Sequence, residues 1–183
     1  ELLIDGILEY SRVGRCNIEK ETLDLNQTVK EVVELVGKEG YTIHVDKLPS
    51  IWVNSVRVSQ IFTNLINNAI QALVAANRAH KQLVITALRD GDEIEVSIAD
   101  NADGIPLEAQ SHLFELLATN KQTGMGLGLW LCKHIVTRHG GSIRFESNEG
   151  GGAKFIFRLP IYPRGGQANF TSRLITSQKI DRD

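Results

Sequence analysis

Long apolar runs are missing from this sequence: none reaches the roughly 18 residues of a membrane span. No signal segment is expected in this stretch either: it opens Glu1-Leu2-Leu3-Ile4-Asp5, already inside a helical pattern, and not with Met. It is expected to be a piece of something longer. Cysteine is scarce: Cys16 and Cys132 lie far apart at no metal spacing. Two idle thiols fit a cytoplasmic setting, whether or not the parent protein is membrane-anchored. Charge of one sign is not in excess, since 20 Lys+Arg face 22 Asp+Glu for a net −2. That excludes a broad basic field for nucleic acid or an anionic membrane. The five histidines are scattered, none at ligand spacing from a Cys, Asp or Glu. No Ser-His-Asp order and no carboxylate pair points to hydrolysis, and no internal repeat occurs. What remains is ordinary globular composition, 42% hydrophobic and 23% charged over 183 residues. That is enough for one domain plus extensions.

The stretch from Gln60 to Leu73 organises the chain. At helical spacing Val58, Phe62, Leu65, Ile66, Ala69 and Leu73 share one side. The other side is a stripe of carboxamides: Gln60, Asn64, Asn67, Asn68 and Gln71. Solvated helix faces normally carry Glu, Lys and Arg, which favour helix more than Asn does. Amides there suit oxygen donors to a hard cation or NH donors to phosphate. A polar face that merely lacks charge fits as well.

Around this helix the periodicities give an ordered set of elements. A short amphipathic stripe (Leu2, Leu3, Ile7, Tyr10) is expected to end a longer helix. Asp24 is expected to start a new helix, with Gln27 closing a loose capping box and Val29, Val32, Val33 and Val36 as its apolar face. Thr42–Asp46 and Ile51–Val53 read as strands, and the amide helix runs from about Ser55 to Ala76. Leu83–Leu88 and Ile94–Ala99 alternate around Arg89-Asp-Gly-Asp-Glu93, a hairpin signal. Asp100 ends the second of these and leads into a sharp loop in which Gly104 is free to take positive φ. Residues 107–123 are less regular, with Phe114 and Leu116–Leu117 as apolar anchors. Gly124, Gly126 and Gly128 open a helix that ends at His139-Gly140-Gly141. Ile143–Glu146 and Lys154–Leu159 form a last hairpin, and periodicity stops from Ile161 onward. The expected fold is an α/β two-layer sandwich: a mixed, mostly antiparallel sheet of about five strands with three main helices on one face.

The Gly-x-Gly-x-Gly run into a helix suits phosphate, because glycines let backbone NH groups and the helix dipole approach an anion. It matches neither the P-loop nor the dinucleotide pattern, and it also fits a plain tight turn. Asp100 accepts hydrogen bonds only, so an adenine amino group would match it. An Asp in that place is equally a common turn cap. Lys121 lies where it reaches a terminal phosphate, and it is equally an ordinary surface lysine.

Taken together, these segments resemble the catalytic ATP-binding domain of sensor histidine kinases, within the gyrase–Hsp90–kinase–MutL superfamily (the Bergerat-type fold). Asn64-x-x-x-Asn68-Ala resembles the N box, and Asn54-x-x-Arg57-x-x-Gln60 its lead-in. Asp100-Asn-Ala-Asp-Gly104-Ile-Pro resembles the G1 box. Leu113-Phe114-Glu115 with Thr119-Asn-Lys121 resembles the F box, and Gly124-Met-Gly126-Leu-Gly128-Leu the G2 box. The resemblance implies residues 16–160 as catalytic domain, 1–15 as the end of a dimerisation helix and 161–183 as a polar tail. It implies ATP and Mg²⁺ as cofactors. Asn68 would ligate the metal, and Asn64 would support metal and phosphates. Asp100 would bind adenine N6, with Gly104 and Ile105 lining the base pocket. Lys121, Thr123, Gly124, Met125, Gly126, Leu127 and Gly128 would form the triphosphate cradle, with Gln71 beside it. Asn64 and Lys121 would carry the catalytic contribution.

The resemblance also implies partners: a dimerisation domain supplying the phosphoacceptor histidine, a response regulator, and a homodimeric full-length protein. No His-Glu or His-Asp motif occurs in this chain, so the acceptor is expected outside it. Some positions depart from the pattern. Ala102 replaces the first G1 glycine, at about 1 kcal/mol if the turn needs positive φ there. Asp103 adds a negative charge, Gln71 stands where many relatives have Lys, and the lid before Gly124 is short. These departures favour a degenerate regulatory module as an alternative. A gyrase- or Hsp90-type ATPase is the other alternative, but those enzymes place a general-base Glu where this chain has Asn64.

Overall fold

The computed structural model describes residues 20–36, 40–116 and 126–161. The elements are β1 (Glu21–Asp24), α1 (Leu25–Val36), β2 (Thr42–Val45), β3 (Ser50–Val53), α2 (Ser55–Ala75), β4 (Gln82–Asp90), β5 (Glu93–Asp100), α3 (Leu107–Gln110), α4 (Gly128–Arg138), β6 (Ser142–Ser147) and β7 (Ala153–Pro160). Five strands form the main sheet in the order β2-β4-β5-β7-β6. Among the described strands of this sheet the β2–β4 pair is parallel and the other pairs are antiparallel. The two-layer α/β expectation holds.

Two features before β2 differ from the sequence reading. Glu21–Asp24 is a strand, and it pairs antiparallel with β3 in a separate two-stranded sheet. Leu23 is the only apolar residue in that strand, so no alternation announces it. The capping box does not close either. Gln27 Nε2 donates to Glu31 Oε1 at 2.8 Å, one helical turn on. Asp24 Oδ1 instead accepts from the Asn26 backbone NH at 2.9 Å.

α2 forms for reasons written in its sequence. Asn54 caps it, its side chain accepting from the Arg57 NH at 2.9 Å. Arg57 Nη1 donates to Gln60 Oε1 at 3.2 Å, so the first amide of the stripe bonds within the start of the helix. Val58, Ile61, Phe62, Leu65, Ile66, Ala69, Ile70 and Leu73 are buried at spacings of three and four. Phe62 meets Phe157 of β7 edge to face, ring centroids 5.5 Å apart. α1 and α4 pack against α2, and all three share one core with the inward side of the sheet. Asn54→Ala is expected to cost about 1 kcal/mol of unfolding free energy, the usual worth of such a cap. Urea titration of the two proteins checks it, and equal stability would show that the cap contributes nothing.

β5 carries a carboxylate into the core. Ile94, Val96 and Ile98 alternate inward, each at most 1% exposed, and the same period of two carries Asp100 inward at 2%. The β4–β5 hairpin that sets this register closes on Asp90↔Glu93, with Gly91 at φ +60°. Ile161, after β7, is also tied in: its NH donates to the Asp92 carbonyl at 2.8 Å and its carbonyl accepts from the Trp52 NH at 3.2 Å. Among the described residues no helix is long and apolar enough to cross a membrane.

Candidate functional site

A carboxylate in phase with a buried apolar face must find donors, because burial without partners costs several kcal/mol. Asp100 finds two backbone NH groups. Oδ1 accepts from Ala102 at 3.0 Å and from Ala153 of β7 at 3.1 Å. Among the described residues no hydrogen bond goes to Oδ2. Burial raises the Asp100 pKa above the ordinary carboxylate value; the two NH bonds and the charge of Arg78 act the other way.

The turn that supplies Ala153 lies hard against this loop. Asn148 Nδ2 donates to the Asp100 carbonyl at 2.8 Å. A Cβ on Gly152 would stand 2.0 Å from that same carbonyl oxygen, and Gly152 has φ +102°. Only glycine fits there. Gly104, at φ +82°, faces the Gly152 carbonyl, and a Cβ on it would lie 3.2 Å away. The left-handed position of the loop is therefore Gly104. Ala102 is buried at 1% exposure with its NH engaged. Asp103 is mostly exposed and pairs with Arg78 at 3.7 Å. Ile105 is half-buried against the core, and its carbonyl accepts from Gln110 at 2.9 Å.

Asn64 joins α2 to the glycine-rich segment. Its Nδ2 donates to the Gly128 carbonyl at 3.5 Å, and a Cβ on Gly128 would be 3.7 Å from its amide. Gly128 is the first residue of α4, Gly126 has φ +66°, and no side chain caps the helix at Leu127. Among the described residues no side chain caps that first turn, and a helix start of this kind suits an anion. Cys132, one turn further, is buried beside Asn64, and burial pushes its thiol up to about 12. It is an inert neighbour. Asn67 and Asn68 are half-buried and Gln71 is exposed on the same stripe. α2 lies against β5, so the amide helix and the strand ending in Asp100 share one packing interface. Lys121, Thr123, Gly124 and Met125 lie outside the described residues, as does Leu117. Phe114 anchors edge to face on Phe155 at 6.2 Å, whereas Leu116 is 55% exposed and is no anchor. α3, between Ile105 and Phe114, was not foreseen.

Among the described residues no three His, Cys, Asp or Glu side chains converge as a metal site. A divalent ion here would have to take amide oxygen together with its ligand's oxygens, as Mg²⁺ does with phosphates and water. The donors present fit a magnesium-bound anionic ligand: neutral oxygens on α2, and backbone NH groups at the start of α4.

The family described as histidine kinase-, DNA gyrase B-, and HSP90-like ATPase matches residues 53–163. The chain belongs to this family. Within it, the similarity is to sensor histidine kinases. Alginate biosynthesis sensor protein KinB of Pseudomonas aeruginosa is 32% identical over 171 residues, 87% of this chain and 28% of that protein. Signal transduction histidine-protein kinase AtoS of Escherichia coli is 34% identical over 172 residues, 90% of this chain and 28% of that protein. The chain thus spans under a third of these relatives. Among solved structures, the catalytic domain of histidine kinase ThkA superposes with a TM-score of 0.68 at 28% identity, over 80% of this chain and 98% of that one. Full-length ShkA in complex with AMPPNP gives 0.71 at 27% identity, over 86% of this chain and 35% of that one. The chain carries the catalytic ATP-binding domain of a sensor histidine kinase.

Sequence reasoning missed Asn148, Gly152, Ala153 and Arg78, which surround Asp100 from distant parts of the chain. The signal available was the run Gly150-Gly151-Gly152, more glycine than a hairpin turn needs.

A member of the α4 cap titrates with a consequence for stability. His139 Nδ1 donates to the Ile135 carbonyl at 2.8 Å, and among the described residues the buried Nε2 has no hydrogen-bond partner. Burial holds its pKa below the ordinary 6.5. The folded state disfavours its charged form, so stability is lost as pH falls below the unfolded value toward the folded one. The unfolding free energy is expected to fall less steeply from about pH 7 to about pH 5 in His139→Gln. Parallel slopes would refute the assignment.

Proposed function

We propose that residues 16–160 bind ATP with Mg²⁺ and present its γ-phosphoryl group to a histidine outside this chain. The observation that carries the reading is Asp100, a buried carboxylate whose Oδ1 accepts from two NH groups while, among the described residues, no hydrogen bond goes to Oδ2. Oδ2 accepts the adenine amino group, which Ile105 helps to bury. Asn68 donates its amide oxygen to the metal, and Asn64 holds the start of α4 beside the phosphates through Gly128. Lys121, Thr123 and the backbone of Gly124 to Gly128 cradle the triphosphate. Bound Mg²⁺ supplies neutralisation of the phosphate charge during transfer. This chain's residues position and orient, which is most of what phosphoryl transfer requires. Asn64 is no general base, so a protein acceptor fits better than water.

By this reading residues 1–15 end the dimerisation helix. The partners are the domain bearing the acceptor histidine and a response regulator, within a homodimer. The test is calorimetric titration of a non-hydrolysable ATP analogue with and without Mg²⁺, followed by incubation with ATP and an added dimerisation domain. Mg²⁺-dependent binding followed by acid-labile label on the added domain is expected. Binding without transfer, with ADP released, would favour an ATPase; no binding would favour a regulatory module.

A further inference from the structure

The connection between α2 and β4 carries Arg78, to which the ATP reading gives no task. Its guanidinium reaches two other loops at once. Nη1 donates to the Gly150 carbonyl at 3.2 Å, and Nε lies 3.7 Å from Asp103 Oδ1. A Cβ on Gly151 would stand 2.3 Å from Nη2, so a side chain there would push the guanidinium from its present place against the turn. The same connection is tied in twice more. Asn101 Nδ2 donates to the His80 carbonyl at 2.9 Å, and Asn101 Oδ1 accepts from the Gln82 NH at 2.7 Å.

The residues so gripped flank the ones that hold Asp100. Asn101 and Asp103 stand on either side of Ala102, and Gly150 and Gly151 lead into Gly152 and Ala153. Ala102 and Ala153 supply the two NH groups on Asp100 Oδ1. If the two loops part, those NH groups no longer converge on one oxygen.

We propose that Arg78 is a positioning residue for the adenine end of the nucleotide site. It holds the 148–152 turn and the 101–104 loop at a fixed separation, which keeps Asp100 aimed at the base. The proposal rests on the ATP reading. It also gives a task to Asp103, one of the departures from the family pattern. With its side chain 76% exposed, Asp103 adds little stability through this pair. It orients the guanidinium. A planar fork with donors in several directions spans two acceptors, whereas an ammonium is a point charge, so Lys does not replace Arg here.

The test uses the full 183-residue chain. MgADP affinity and amide hydrogen exchange are measured for the unsubstituted protein, Arg78→Ala, Arg78→Lys and Asp103→Asn. Arg78→Ala is expected to weaken MgADP about tenfold, less than the roughly hundredfold of a full 1 Å misplacement. Exchange at the Ala102 and Ala153 amides speeds up, while the α2 amides keep their protection. Arg78→Lys keeps the stem and charge, and it shows the same loss. Asp103→Asn loses about twofold, in line with an exposed pair, and adds nothing in the Arg78→Ala background. Unchanged MgADP affinity in Arg78→Ala overturns the proposal. So does a loss accompanied by faster exchange throughout α2, or full function in Arg78→Lys. If the unsubstituted chain binds no MgADP, the ATP reading itself falls and takes this proposal with it.

Discussion

Asp100→Asn is expected to weaken ADP and ATP by about 2–4 kcal/mol, a factor of about 30 to 1000. The substitution keeps the shape and one oxygen. That oxygen stays where it is, because the Ala102 and Ala153 NH groups both need an acceptor. The amide NH₂ is therefore forced into the place of Oδ2, and a donor faces the adenine amino group. One charge-assisted bond is lost and two donors are opposed in a buried site. Folding suffers little, since both backbone bonds survive and burial disfavours the charge there. Titration with ADP and with tripolyphosphate separates the base from the phosphates. Equal losses for both ligands would remove Asp100 from the base site.

Asn68→Ala is expected to abolish the Mg²⁺ dependence of ATP binding. Even groups that only support a metal ligand cost about 10–100-fold when removed, so loss of the ligand itself is expected to cost at least that much. The fold should tolerate the change. Asn68 is half-buried at the edge of the amide stripe of α2 and is not among the helix's buried core residues. Ala is the better helix former by up to about 0.7 kcal/mol. The discriminating measurement is analogue affinity with Mg²⁺ and with EDTA. A variant that keeps the ratio of the two would show the metal is held elsewhere.

Periodicity made most of the fold legible. The apolar spacing of α2 and the alternation of β4, β5 and β7 come from residues within one element, and each element's buried side depends on that pattern alone. β1 was not legible, because four residues with one apolar side chain carry no period, and its pairing with β3 is a contact between segments far apart in sequence. The position of Leu116 failed for a similar reason: apolar character in an irregular stretch does not say which way a side chain turns.

The site divides in the same way. Sequence alone determined that an uncharged amide stripe backs onto an apolar helix face, that Asp100 falls in phase with Ile94, Val96 and Ile98, and that glycines precede α4. Spacing along one element decides each of these. Tertiary structure alone decided that Asn64 meets Gly128, and that Asp100 Oδ1 is shared by Ala102 and Ala153. It also placed Arg78 between Asp103 and Gly150. Most of these contacts bridge segments that only the folded sheet and its helices bring side by side, and no local pattern records such a distance.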